Sequence, residues 1–305
     1  MKETLNGPSD WQSSVIAVPP LARNADLTLA KPANAKLIHH MEAGGISIIM
    51  CGGNANFYNV ALSEYEEILD FLSQTVAADT WVIPSIGPAY GTMMDQAAIL
   101  ARKKFPTAMV LPTMANMTEA GLVRAIRLAH EKLGYPLVLY VKDEGYLSTA
   151  SIAELDWDGC LLFVKYAIVR DTPETDDVLN SLIDAIGADK VVSGIGERPA
   201  IAHFRTFGLN AFTTGSGAVA PAHSMRLLQA LKAADYDAAD RIRRTFLDLE
   251  TLRDRHGPAF VLHEAVTLAE IADMGPMLPL MSNIAADLRA PVQSAARNLM
   301  AASVG

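Results

Sequence analysis

Eight times between residues 15 and 233, a short apolar run is followed by turn-forming residues and then by a stretch of helical character. This beat limits the fold severely, because parallel strands need long crossover connections and those are usually helices. The strand-like runs are residues 15–18, 47–51, 81–85, 108–111, 137–140, 159–166, 190–193 and 211–214. Short continuous apolar runs of this kind suit strands buried on both faces of a parallel sheet. Their helical partners are 33–43, 64–76, 93–104, 118–133, 148–155, 176–186, 199–207 and 222–233. Gly44 and Gly134 stop two of these, Thr118 and Ser148 cap two others, and Ser63 with Glu66 reads as a capping box. Eight strand–helix pairs are what a (β/α)8 TIM barrel requires. A doubly wound open sheet would be favoured by a Gly-rich dinucleotide fingerprint after the first strand, and none stands there. The expectation is an α/β chain with a barrel over 1–234. Beyond Asp235 the alternation stops, and helical stretches at 236–256, 259–272 and 283–301 predict a three-helix extension over 235–305. With little apolar surface of its own, it is expected to pack on the barrel.

Half of the residues are hydrophobic and 19% are charged, enough for a large core. A formal charge of −9 argues against nucleic acid or an anionic membrane as partner, since both call for basic patches. The two cysteines, Cys51 and Cys160, sit inside apolar runs and read as buried thiols, which suits a reducing cytoplasm. Residues 1–11 lack the apolar core of a signal peptide, and no apolar run approaches the ~18 residues of a membrane span. A soluble cytoplasmic protein is expected.

In a barrel the reactive groups lie where strands end. The run Gly159-Cys160-Leu161-Leu162-Phe163-Val164-Lys165-Tyr166 carries five apolar residues onto one lysine. An ammonium there is costly to desolvate, and desolvation lowers its pKa toward a neutral amine able to attack a carbonyl. The plain alternative is that Lys165 emerges into water. Tyr140 ends the neighbouring strand at the same height, where a phenol can relay protons to an amine; it also suits an ordinary strand end. Glycines at the mouths (Gly52-Gly53, Gly194 and Gly196, Gly215 and Gly217) expose backbone N–H groups to an anion, or merely make turns. For a metal-dependent aldolase, histidines should stand at strand ends. Instead His39, His40, His130, His203 and His263 fall in helical stretches, and His223 and His256 near helix ends. Neither a metal nor another cofactor is expected.

These residues resemble the dihydrodipicolinate synthase/N-acetylneuraminate lyase group of Schiff-base-forming barrels. The resemblance is carried by Gly44-Gly45-Ile46-Ser47 leading to Gly52-Gly53-Asn54-Ala55-Asn56-Phe57, then Leu62-Ser63-Glu64-Tyr65. Further on come Val110-Leu111-Pro112, Pro136-Leu137-Val138-Leu139-Tyr140, Phe163-Val164-Lys165 and the Gly215-Ser216-Gly217 mouth. It implies that Lys165 forms an imine with a 2-keto acid, that Tyr140 shuttles protons, and that Gly53 and Asn54 hold the keto-acid carboxylate. Thr113, Gly194, Gly215 and Ser216 complete the implied substrate site, and Lys142 and Arg198 are candidate anchors for its distal end. A homo-oligomer, dimer or tetramer, is implied as well. The departures are specific. Thr113-Met114 replaces a tyrosine pair that includes a relay member, Tyr166 replaces a glutamate, and Val141-Lys142-Asp143 replaces a substrate-binding arginine segment. Lysine biosynthesis is therefore not expected, and the loop after the second strand is closer to keto-deoxy sugar-acid dehydratases. A barrel that binds a keto acid without turning it over is the alternative.

Overall fold

The computed structural model describes residues 1–303, so the last two positions of the expected 235–305 extension lie outside the described residues. The strands are β1 (Ile16–Ala17), β2 (Ile48–Met50), β3 (Trp81–Ile83, continued as Ser85–Ile86) and β4 (Met109–Val110). They continue with β5 (Leu137–Val141), β6 (Leu161–Tyr166), β7 (Val191–Ser193) and β8 (Thr213–Thr214). Every pairing is parallel, and β1 pairs with both β2 and β8. The ladder is interrupted within β3, because Pro84 has no N–H to donate. Its first half pairs with β2 and its second with β4, while the Pro84 carbonyl accepts the Met109 N–H at 2.8 Å. A single bridge from Ser193 to Phe212 joins β7 to the start of β8 and closes the cylinder. This is the expected (β/α)8 barrel.

The helices follow the anticipated order with shifted ends. The helix after β2 is Leu62–Thr75, which puts Ser63 inside it rather than at its cap. Glu64 takes the role foreseen for Glu66, accepting the Ala61 N–H at 3.3 Å, and is further fixed by Arg23 at 2.6 Å. A short helix, Pro8–Gln12, was not anticipated. Its Trp11 packs on Phe163 with ring centroids 5.7 Å apart and donates to the Asp189 carbonyl, and Lys2 N–H bonds the Thr80 carbonyl. Asp189 and Thr80 both precede strands, so this segment covers the N-terminal end of the barrel and leaves the opposite end open. Cys51 and Cys160 are buried free thiols. Among the described residues, no helix is long and apolar enough to cross a membrane.

The extension consists of helices Tyr236–His256, Pro258–Leu268 and Ala286–Ala301. It is less polar than the sequence suggested. Phe246, Leu249, Val261, Leu262, Val266, Val292 and Leu299 are all buried, in the same continuous core as the strands. Helix Pro258–Leu268 packs against the Gly53–Ala55 turn that follows β2, and Leu262 fills the space beside Gly215 so closely that a Cβ there would meet it at 2.4 Å. The extension therefore touches two of the loops at the open end. Replacing fully buried Phe246, which meets the His223 ring edge-on at 6.5 Å, with alanine should cost about 3–5 kcal/mol. Urea unfolding of Phe246→Ala should stay a single transition moved to lower denaturant. Two separated transitions would mark residues 235–305 as an independent unit.

Candidate active site

The register of β5 and β6 sets Tyr140 directly opposite Lys165. Successive residues of a strand point to opposite faces, so paired residues at one height share a face. The Lys165 Nζ lies over the Tyr140 ring, 3.6 Å from its centroid. The lysine is only 4% exposed. Burial, with smaller contributions from the positive charges of Lys142 and Arg253, lowers its pKa from 10.5 to about 7. Burial likewise pushes the Tyr140 phenol up to about 12, so it is a protonated donor at neutral pH. Close approach of β7 is possible because residue 194 is glycine: a Cβ there would stand 2.7 Å from the Tyr166 carbonyl and 3.0 Å from Lys165 Cγ.

A cavity of about 390 Å³ opens around this pair at the strand ends. Of the residues singled out in the sequence, Gly53, Asn54, Tyr140, Lys142, Lys165, Gly194 and Gly215 line it. Thr113, Arg198 and Ser216 do not. Thr113 Oγ1 instead accepts the Ala115 N–H at 3.2 Å. Arg198 pairs with Asp254 at 3.0 Å and donates to Thr251, so its charge is spent at the rim. Ser216 is buried behind the wall, where its hydroxyl accepts from Arg253 at 3.1 Å. Gly53 and Asn54 open the one-turn helix Gly53–Ala55, so their N–H groups have no carbonyl within that turn to bond. Asn54 is held in place by its side chain, which donates to the Val18 carbonyl at 2.8 Å. A shallower recess of about 560 Å³, bounded by Lys31, Glu66, Glu67 and Asp70, is a surface groove of paired charges.

Sequence reasoning missed a buried group beside the cavity. Helix Tyr236–His256 presents Ala239, Ile242, Phe246, Leu249, Glu250 and Arg253 on its buried face. A glutamate and an arginine at helical spacing on an apolar stripe were the legible signal. Glu250 Oε1 accepts from Arg253 at 2.9 Å and from the Glu197 N–H at 3.0 Å. Glu197, fully buried, accepts from the hydroxyls of Thr214 and of Ser224, the latter at 2.6 Å. Desolvation, followed by the nearby charge of Glu197, raises the Glu250 carboxyl from 4.5 to about 8. Burial thus favours the protonated form of Glu250.

Five of the seven histidines act as structural ties. His203 Nδ1 meets Ser193 Oγ at 2.7 Å, and His263, His40, His130 and His223 each meet a backbone carbonyl. Among the described residues, no group of three or more His, Cys, Asp or Glu is placed to hold a metal ion.

The raised Glu250 pKa has a definite sign. Between pH 4.5 and about 8 the folded chain binds more protons at this site than the unfolded chain, so this contribution to stability falls as pH rises through that window. Glu250→Gln keeps the shape of the protonated acid and removes the titration. Urea midpoints measured across the window should shift in favour of the variant as pH rises, whereas a pH-independent difference would rule out a buried proton on Glu250.

No protein-family model matches the chain. A protein named probable 5-dehydro-4-deoxyglucarate dehydratase, from Acinetobacter baumannii, is 21% identical over 248 residues, 79% of this chain and 80% of that protein. Among solved structures, dihydrodipicolinate synthase from Oceanobacillus iheyensis superposes with a TM-score of 0.84 at 20% identity, over 94% of this chain and 96% of that one. YagE from E. coli, a member of the dihydrodipicolinic acid synthase family solved in complex with pyruvate, gives a TM-score of 0.79 at 20% identity, covering 93% and 98%. Along nearly its whole length the chain has the fold of dihydrodipicolinate synthase, and over 79% of it the sequence is similar to a probable 5-dehydro-4-deoxyglucarate dehydratase.

Proposed function

We propose that this chain is a class I lyase that forms an imine between Lys165 and a 2-keto acid, with keto-deoxy sugar acids as the substrate class. One observation carries the reading: a buried amine brought to about pKa 7, over the Tyr140 ring, in a cavity at the barrel's open end. The relative named as a dehydratase of a keto-deoxy sugar acid supports the substrate class, and the pyruvate-bound neighbour supports a keto acid as ligand.

The Lys165 nitrogen attacks the keto carbon to give a carbinolamine. Protonation of its hydroxyl, with Tyr140 as the proton donor, releases water and leaves an iminium. The iminium draws electrons from the adjacent carbon. A proton lost from C3 forms an enamine, and expulsion of a protonated C4 hydroxyl completes dehydration. Cleavage of the C3–C4 bond with loss of the C4 hydroxyl proton is the aldolase variant of the same route. Hydrolysis of the product imine returns the free amine. The N–H groups of Gly53 and Asn54 hold the carboxylate at C1. The working unit combines a barrel over 1–234 with the 235–305 extension, and the resemblance implies a cytoplasmic homo-oligomer, dimer or tetramer.

Borohydride reduction in the presence of pyruvate should attach a three-carbon adduct to Lys165, located by peptide mass mapping. Lys165→Met should carry none, and an adduct elsewhere or nowhere would refute the imine. Attack requires the uncharged amine, so the trapping rate should climb as pH rises through about 7 and then level off. Tyr140→Phe keeps the ring and should lower turnover by about two to four orders of magnitude. A keto-acid-binding barrel without turnover is the second reading. It is favoured by Thr113, which brings no hydroxyl to the cavity where the family has its relay tyrosine. Turnover on any member of a panel of keto-deoxy sugar acids decides between them.

A further inference from the structure

Past the end of their ladder, β5 and β6 run on as a wall one residue layer thick. Tyr140, Lys142, Lys165, Ala167 and Val169 line the cavity of about 390 Å³. The residues between them, Val141, Asp143, Tyr166 and Ile168, line a second recess of about 340 Å³ on the other side. Extended chain imposes this alternation. The last backbone bond between the two segments runs from the Ala167 N–H to the Val141 carbonyl at 2.7 Å, and among the described residues none joins 142–144 to 168–170. A wall with space on both sides has little packing behind it to fix its position. Side chains take over there. Arg170 donates through Nη1 to Glu144, in the loop after β5, and through Nη2 to Asp176 at 3.0 Å. The same Asp176 accepts the Tyr166 hydroxyl at 2.7 Å and the Leu179 N–H at 3.1 Å, at the start of helix Asp177–Ile186. Tyr166 and Asp176 are buried, whereas the Glu144 side chain is exposed. One guanidinium thus ties the loops after β5 and β6 to a carboxylate seated on a helix, and its planar fork serves both acceptors at once.

We infer that Arg170 is a positioning residue for the reactive amine: with Asp176 and Tyr166 behind it, it clamps the wall that carries Lys165, Ala167 and Val169, and so fixes where an incoming carbonyl meets the nitrogen. This role rests on the imine at Lys165. Tyr166 links the clamp to the chemistry. It follows Lys165 directly, its side chain leaves the opposite face of the strand, and its hydroxyl is anchored, so the backbone that bears Lys165 is held from behind. Arg170 works through position and not through charge, because the cations that act on Lys165 are Lys142 and Arg253.

Imine formation with pyruvate, trapped by excess borohydride and mapped to Lys165, should be about ten- to a hundredfold slower in Arg170→Met than in the wild-type chain, the scale expected when a reacting group is displaced by up to about 1 Å. The pH midpoint of trapping should not move. Glu144→Gln alters only the exposed end of the clamp and should slow trapping to a smaller extent; it decides the outcome if Arg170→Met does not fold. Arg170→Lys keeps the charge without the fork and should recover part of the rate. Wild-type rates in whichever of these variants fold would overturn the clamp. A shifted midpoint would overturn it too, since charge and not position would then be at work. Hydrogen exchange separates the clamp from the imine. Amides of residues 167–170 should exchange faster in the variants, by about tenfold for the loss of one charge-assisted bond. Equal exchange sinks the clamp whether or not Lys165 takes an adduct. Faster exchange with no adduct in the wild-type chain keeps the clamp on the wall and removes the imine.

Discussion

An ammonium group loses much of its hydration inside this barrel and receives no carboxylate in return. The described ion pairs include none to Lys165, and the nearest charges that act on it, Lys142 and Arg253, are positive. A buried unpaired charge is destabilising, and the protein's response is to release the proton. The face of the Tyr140 ring is an interaction that favours the cation. It also carries the phenol close to the nitrogen. Chemistry and packing are thus joined: the strand pairing that buries the amine is the pairing that delivers its neighbour.

Keeping the amine neutral restricts what can surround it. Two ionised carboxylates near the cavity would draw a proton back onto Lys165. Glu197 and Glu250 are both buried close by, yet burial shifts Glu250 toward its protonated form and Arg253 is hydrogen-bonded to it. Arg253 itself remains on the side that disfavours the ammonium. The extension is therefore coupled to the reactive lysine through electrostatics as well as through shared apolar packing.

What the sequence disclosed and what it withheld divide along physical lines. The strands, Lys165, Tyr140 and the glycine mouths were legible because strand register is local: a buried apolar run ending on a lysine fixes height and face at once. Ser63 was misread as a cap because Ser-x-x-Glu fits a capping box whether or not the helix begins there, and Glu64 won through its contacts with Ala61 and Arg23. Arg198 looked like an anchor from its place after β7, but Asp254, more than fifty positions later, takes its charge. Such pairings depend on how distant elements dock, and periodicity within one element carries no trace of them. Arg253 was hidden for the same reason. The judgement that the extension lacked apolar surface also hid that its buried stripe includes two ionisable groups.

This division bears on how a barrel of this kind can change substrate while keeping its reaction. The amine, its ring and the turn after β2 belong to strands and strand ends, where a displacement would disturb the whole closed ladder. The far end of the cavity is built from Gly196, Arg253 and Pro258, contributed by a loop and by the extension. Alterations there leave the hydrogen-bonded cylinder intact, so the lining of the far end can change without moving Lys165 or Tyr140.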